Sequence, residues 1–297
     1  NAANHPAIAN SIKTFLCPSA PGSNRVVVSS GGVNNPPTDY APNNAYLSIV
    51  GDFETAQTKA WVTKYFGDIA RGKPITRPKV EPVTLGAEKR LVYEDRVQVP
   101  RAYILWPTIG EQHDDRFALD VLSTILTGAR TARITKALVY DEQAAASAQA
   151  YQSTNEDVGE FVIMLTPRPG HTLTSLEAAT DGIIERLKKE GPTAEEIQKA
   201  IAGEELGFVS NLESNLGKAF QLADGAGYHG DAGYFRTAYK KTLSVTAEDV
   251  KRVANKYLTS GRVVLSIVRE GKADQAAKPE QSKRVTDYDA KKPEGGK

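Results

Sequence analysis

The sequence predicts an α+β fold, with a mostly antiparallel sheet and helices packed on one face. Three observations predict it. Between 89 and 270 the chain reads as strand, strand, helix, helix, strand, strand, a block of helices and a closing strand. Two of the strand runs, AAASAQAYQS and VGEFVIMLTPR, are joined by the polar turn TNED, which suits an antiparallel hairpin. The composition is that of an ordinary soluble chain: 297 residues, 40% hydrophobic and 25% charged. The net charge is +1, from 37 basic and 36 acidic residues. No single-sign field is available, so nucleic acid and anionic membrane are not expected partners. No run of eighteen apolar residues exists to span a bilayer.

The elements follow in order. Residues 1–43 are dense in Gly, Pro, Ser and Asn (CPSAPGS, SSGGVNNPPTDY, APNN) and read as an irregular segment; only RVVV at 25–28 has strand character. Residues 44–70 read as a strand and a helix. AYLSIVG (45–51) is a short apolar run ending in Gly. In DFETAQTKAWVTKYFGDI, Ala56, Ala60, Trp61, Val62, Tyr65 and Phe66 recur at helical spacing, with Gly67 as the stop. Residues 71–88 hold three prolines without periodicity and read as a linker.

The domain 89–270 opens with KRLVYEDRVQ and RAYILWPTI, two strand runs parted by Val99-Pro100. The next helix carries Ala118, Val121, Leu122, Ile125 and Leu126 on one stripe and closes at Gly128. A second short helix is expected over 130–139. After the hairpin, TLTSLEAATDGIIERLKKEG predicts a long helix with Leu176, Ile183 and Leu187 inward. Thr193 and Glu196 predict a capping box for the next helix. Helical patterns follow over 213–226 and 231–241, then a helix capped by Thr246 and the last strand, GRVVLSIVR. Residues 271–297, charged and nearly free of large apolar residues, read as a disordered tail. The chain starts NAANHP without a basic-then-apolar leader and reads as processed or cut from something longer.

Several stretches resemble a known family in the right order. YAPNNAYLSIVGDFETAQTKAWVTKYFGDI is similar to the pitrilysin/insulinase-type (M16) peptidases, in which "Y-x-P-x-N-A" leads to a strand, "V-G-D" and a helix ending "K-Y-F-G". VPRAYILWPTIGEQHDDRFALDVLSTILTG resembles the start of that family's next domain. GARTARITKALVYDEQAAASAQAY resembles its "G-G-x-x-S-R-L-x-x-x-L-R" segment, and TAEDVKRVANKYL with VVLSIV resembles its closing helix and strand. The resemblance covers about 40–270. It implies the last strand and helix of one M16 domain (44–70), then a whole second, noncatalytic domain. In that family, tandem α+β domains form halves that close like a clamshell on a peptide. Residues 1–39 instead resemble secreted pilin-like proteins with the phrase "F-L-C-P-S", so two coding pieces are expected to meet near Thr38–Pro42, as in a chimera.

The family's zinc motif, H-x-x-E-H, sets two histidines on one helix face around a general base. It is absent here. The histidines are His5, His113, His171 and His229, and no two lie within ten residues. Each reads as a solvated loop or helix-end residue, and Cys17 as a lone loop cysteine. The resemblance also implies a substrate-gripping pair, "L-R-x-x-x-x-x-x-Y". Aligned on Leu138, its positions fall on Val139 and Ala146, which carry neither a guanidinium nor a phenol. A shift of one puts Tyr140 near the arginine position. Arg130, Arg133 and Tyr140 are the candidate substrate-facing residues, although a charged stripe such as Arg130, Arg133 and Lys136 is more often a solvated helix face. There is no P-loop or dinucleotide fingerprint.

The resulting expectation is a noncatalytic fragment or subunit of a zinc metallopeptidase that shapes the peptide chamber. It would hold no cofactor itself, zinc being supplied by a partner or missing domain. Its partners would be a peptide substrate and an M16 catalytic domain or subunit, or further copies of itself. The resemblance favours a periplasmic or secreted setting. Two alternatives stay open at this point: a metal-independent hydrolase, and an interaction protein that has lost its chemistry.

Overall fold

The computed structural model describes residues 47–69, 80 and 83–285. RVVV, Cys17, His5 and most of the 71–88 linker lie outside them. The elements in chain order are α1 (Thr55–Phe66), β1 (Lys89–Asp95), β2 (Arg101–Ile109), α2 (Asp115–Thr127), a π-helix (Thr135–Asp141), β3 (Ala145–Thr154), β4 (Val158–Pro167), α3 (Leu173–Glu190), α4 (Ala194–Glu213), α5 (Asn215–His229), α6 (Tyr234–Leu243), α7 (Ala247–Tyr257), β5 (Val263–Arg269) and β6 (Lys283–Arg284). They group into two compact units: residues up to Lys79 with Glu205–Lys240, and Val80–Glu204 with Lys241 onward. Thus 205–240, read from sequence as part of the 89–270 domain, groups with the residues before 80.

The second unit is built on a six-stranded sheet of order β3-β4-β2-β5-β1-β6. The pairs β3·β4, β4·β2 and β2·β5 are antiparallel, whereas β1 runs parallel to β5 and β6. Strict alternation along β2 buries Ala102, Ile104, Trp106 and Thr108 on the face that meets the helices. The expected stripe of α2 is buried at every position: Ala118, Val121, Leu122, Ile125 and Leu126. In α3 the buried residues are Leu173, Leu176, Glu177, Thr180, Ile184 and Leu187. Ile184, not Ile183, faces inward. Burial of Glu177 and Thr180 rotates the stripe, and Ile183 falls at its rim. Gly191, at φ +79°, ends α3 with its N–H donated to the Leu187 carbonyl.

Helix starts were legible in detail. The Thr193 hydroxyl accepts from the Glu196 N–H at 3.2 Å while the Glu196 carboxylate accepts from the Thr193 N–H at 2.8 Å. Thr246 and Asp249 form the same reciprocal pair at α7. Asp115, buried at the start of α2, accepts from Arg252 Nη1 at 2.7 Å, Lys256 Nζ at 2.8 Å and the Tyr257 hydroxyl at 2.7 Å, all on or beside α7. Burial alone would raise its carboxyl, but these donors win and hold it well below the usual carboxylate range. A depressed folded value means stabilisation that is present above the unfolded pKa and lost as pH falls through the folded one. Asp115→Ala is therefore expected to remove roughly 2–3 kcal/mol at pH 7, and less as the medium is acidified, in urea unfolding followed by circular dichroism.

In the first unit, α1 has no buried residue, and Trp61 is 54% exposed. Residues 47–51 of the expected strand AYLSIVG join no sheet, and Leu47 is 43% exposed. A strand needs a neighbour, and no described strand pairs with this one. Helix α6 stacks Phe235 and Tyr239 on Phe208 of α4, with ring centroids 6.3 and 4.4 Å apart.

Part of the expected disordered tail is ordered: within residues 271–285 lie two 3₁₀ turns, Ala273–Gln275 and Pro279–Gln281, and then β6, and the remainder lies outside the described residues. Ala276 packs against Val92 and Val268, and the Val285 N–H reaches the Val92 carbonyl at 2.8 Å. Small apolar residues and one backbone ladder suffice where composition reads as uniformly polar.

Candidate functional site

The segment after α2 is where the family's substrate-gripping pair is expected. It does not form the short α-helix expected over 130–139. Its regular part is the π-helix Thr135–Asp141, and the Glu142 N–H closes it on the Ala137 carbonyl five residues back at 2.9 Å. Such wide turns are rare and frequently lie at functional sites. Ala132, Ile134 and Leu138 anchor it in the core. Gln143, at φ +50°, turns the chain into β3, the outer strand of the sheet.

The candidate residues separate at this point. Arg133 donates to both Glu196 carboxylate oxygens, at 2.7 and 2.8 Å, and to the Gly191 carbonyl at 3.0 Å. The hydrogen bonds to Glu196 raise its guanidinium further. Arg133 therefore fastens this segment to the capping box of α4. Arg130 and Tyr140 are brought together, with the guanidinium 4.5 Å from the ring centroid and Tyr140 42% exposed. Lys136 pairs with Asp141 on the surface. Val139 is half-buried, and Ala146 is exposed at a β-bulge between Ala145 and Ser147. Further along β3, the Ala150 N–H is taken by the Thr127 hydroxyl at 2.7 Å.

Other polar groups were not visible in sequence. Glu177, fully buried on α3, accepts from Arg90 Nη1 at 3.0 Å and Arg262 Nη2 at 2.8 Å. Arg262 also bonds Asp181 and Glu88, and Arg90 bonds Glu88. These partners lie 85 to 87 positions from Glu177, so no local spacing announces them. A cavity of about 380 Å³ opens beside this network, lined in part by Trp106, Lys188 and Leu258. The ionic groups on its wall are paired with one another: Arg262 with Asp181 and Glu88, Lys188 with Glu185. At α2, burial pushes the Asp120 carboxyl up to about 7; Arg116 opposes this, and Glu204 and Glu111 reinforce it. Thr124 holds the Glu204 carboxylate at 2.9 Å, and Arg116 holds Glu111 at 3.0 Å.

The described histidines, His113, His171 and His229, do not form a metal-binding group. His113, just before α2, accepts the Asp115 N–H on Nδ1 at 3.0 Å. His229, which lies in the stretch GYHGD and reads from sequence as a loop residue, is the last residue of α5, and its ring stacks on Tyr234. Among the described residues no group of three or more His, Cys, Asp or Glu side chains is placed to hold a metal ion. No described helix is long and apolar enough to cross a membrane.

The family model described as "Peptidase M16 inactive domain" matches residues 38–204. The chain belongs to that family. Residues 1–37 fall outside the match. Among curated relatives, the M16 chain is similar to the zinc protease PqqE of Helicobacter pylori, at 28% identity over 222 residues, covering 73% of this chain and 50% of that protein. It is also similar to the uncharacterized zinc protease YmxG of Bacillus subtilis, at 26% identity, covering 60% and 42%. The crystal structure of a protease from Helicobacter pylori shares the fold, with a TM-score of 0.67 at 23% identity, covering 74% of this chain and 53% of that one. The chain thus spans about half the length of the curated relatives it matches. It carries the inactive-type M16 domain, and the H-x-x-E-H motif is absent from its sequence. Its histidines lack the spacing by which that motif holds zinc.

Proposed function

We propose that this domain is the noncatalytic wall of a peptide chamber whose zinc and general base are supplied by an M16 catalytic domain or subunit. The observation that carries the reading is the segment 135–146. Val139 and Ala146 occupy the positions where the family resemblance implies an arginine and a tyrosine. Valine offers no donor to a peptide carbonyl, and alanine no phenol to a developing oxyanion. What the segment does present is the Arg130–Tyr140 pair, a cation over an exposed ring, beside the outer strand. It would contact an extended peptide without taking part in bond cleavage. On the family resemblance alone, we place the domain in the periplasm or outside the cell.

A quenched fluorescent peptide tests this. The purified chain, with zinc or with chelator, is expected to give no hydrolysis above buffer. Chelator-sensitive cleavage by the chain alone sinks the proposal. With an H-x-x-E-H-bearing M16 partner present, cleavage is expected, and Arg130→Ala with Tyr140→Ala is expected to raise KM about three- to tenfold at unchanged kcat, the signature of lost uniform binding.

A further inference from the structure

The segment between α2 and β3 carries three cations: Arg130, Arg133 and Lys136. Two are neutralised within the fold, Arg133 by Glu196 at 2.7 Å and Lys136 by Asp141. Arg130 has no carboxylate partner among the described residues. It lies on the Tyr140 ring, with 4.5 Å from guanidinium carbon to ring centroid, and both side chains are exposed. A guanidinium stacks by its face, whereas its five N–H donors lie in its plane. The ring therefore steadies the side chain and leaves those donors open to a ligand. The acids that follow do not cancel the charge. Asp141 is held by Lys136, and Glu142 lies about half a π-helical turn from Tyr140.

The ligand that matches such a group is a carboxylate, which accepts two parallel N–H···O bonds from one guanidinium. A neutral amide has no second oxygen to complete the pair. The neighbouring strand gives side chains the larger part in recognition. Thr127, three positions before Arg130, takes the Ala150 N–H of β3 on its hydroxyl at 2.7 Å. A peptide laid along β3 finds that donor taken, so an unbroken main-chain ladder cannot hold it. What separates one peptide from another here is its side chains against Arg130 and Tyr140.

We propose that Arg130, braced on Tyr140, is a specificity residue that selects peptides presenting a carboxylate. The inference rests on the chamber-wall reading for the presence of a peptide, and adds the class of peptide. An acidic side chain and a C-terminus supply the same group, and the experiment tells them apart.

Fluorescence anisotropy on the full chain, without a catalytic partner, tests it. The probes are four labelled peptides of one alanine- and serine-based sequence. One is amidated and uncharged, one amidated with a central Glu, one amidated with a central Lys, and one uncharged in its side chains with a free C-terminal carboxylate. The Glu peptide is expected to bind about three- to fivefold more tightly than the uncharged amide, and raised salt to erase the difference. The same gain in the free-carboxylate peptide alone upholds the inference and assigns the group to the C-terminus. Arg130→Gln is expected to abolish the preference with the melting temperature unchanged, and Arg130→Glu to transfer it to the Lys peptide. Equal binding of all four peptides overturns the inference and leaves the chamber wall standing. A preference that survives Arg130→Gln overturns it too, by assigning the carboxylate to another cation. No binding of any peptide overturns both.

Discussion

Replacing Glu177 by alanine is expected to lower the melting temperature of the chain by roughly 10 °C. The side chain is 0% exposed and faces Arg90 and Arg262, both buried. Removing it leaves two guanidinium groups facing an apolar gap. Breaking a buried pair in this way costs about 3–5 kcal/mol, far more than the pair contributes relative to a well-packed apolar substitute. Each kcal/mol moves the midpoint by about 2–4 °C in a domain of this size. Glu88 and Asp181 remain as partners, which puts the expected loss near the lower end. Glu177→Gln keeps the shape and one acceptor, so its effect should be about half as large. Thermal melts followed by circular dichroism measure both. A shift under about 2 °C for the alanine variant would mean that solvent reaches the guanidiniums.

The second large effect is one of pH. Burial and the neighbouring Glu204 and Glu111 favour the neutral Asp120 carboxyl, whose value rises to about 7. The folded state therefore binds its proton more tightly than the unfolded chain. Between the unfolded value near 4 and about 7, stability falls as pH rises; above 7 the full penalty of a buried charge is present, and below 4 there is none. Asp120→Asn removes the penalty and keeps the shape. It is expected to stabilise the protein by on the order of 2 kcal/mol at pH 8 and to change little at pH 4.5, measured as urea midpoints at the two pH values. Equal effects at both would assign the gain to packing.

The two carboxylates on α2 show how far the sequence could be read. Asp115 and Asp120 are five residues apart and look alike in the chain, yet one is held far below and the other far above the ordinary range. The difference lies in α7, whose Lys256 and Tyr257 reach Asp115 across more than 140 positions. Local features were legible because their causes are local: the apolar stripe of α2, the Thr193–Glu196 and Thr246–Asp249 caps, the hairpin turn at 155–157. Glu177 was not, since a glutamate in an amphipathic helix reads as surface until the strands that cover it are placed. Arg133 read as one of a basic stripe because the spacing that joins it to Arg130 and Lys136 is visible, whereas the loop that brings Glu196 to it is not. The strand at 283–284 is too short and too charged to carry any period.

The π-helix has one more consequence. Its hydrogen bonds close over five residues, so each wide turn accommodates one residue more than an α-helical turn would. Deleting a single residue there, Val139 for instance, would let the segment rewind as an ordinary helix and carry Tyr140 into the vacated place, with α2 and β3 undisturbed. The segment is thus a point of slack at which a lineage can gain or lose one residue without breaking the sheet. A one-residue shift of the family pattern across it moves the arginine position from Val139 to Tyr140, and neither register restores the pair.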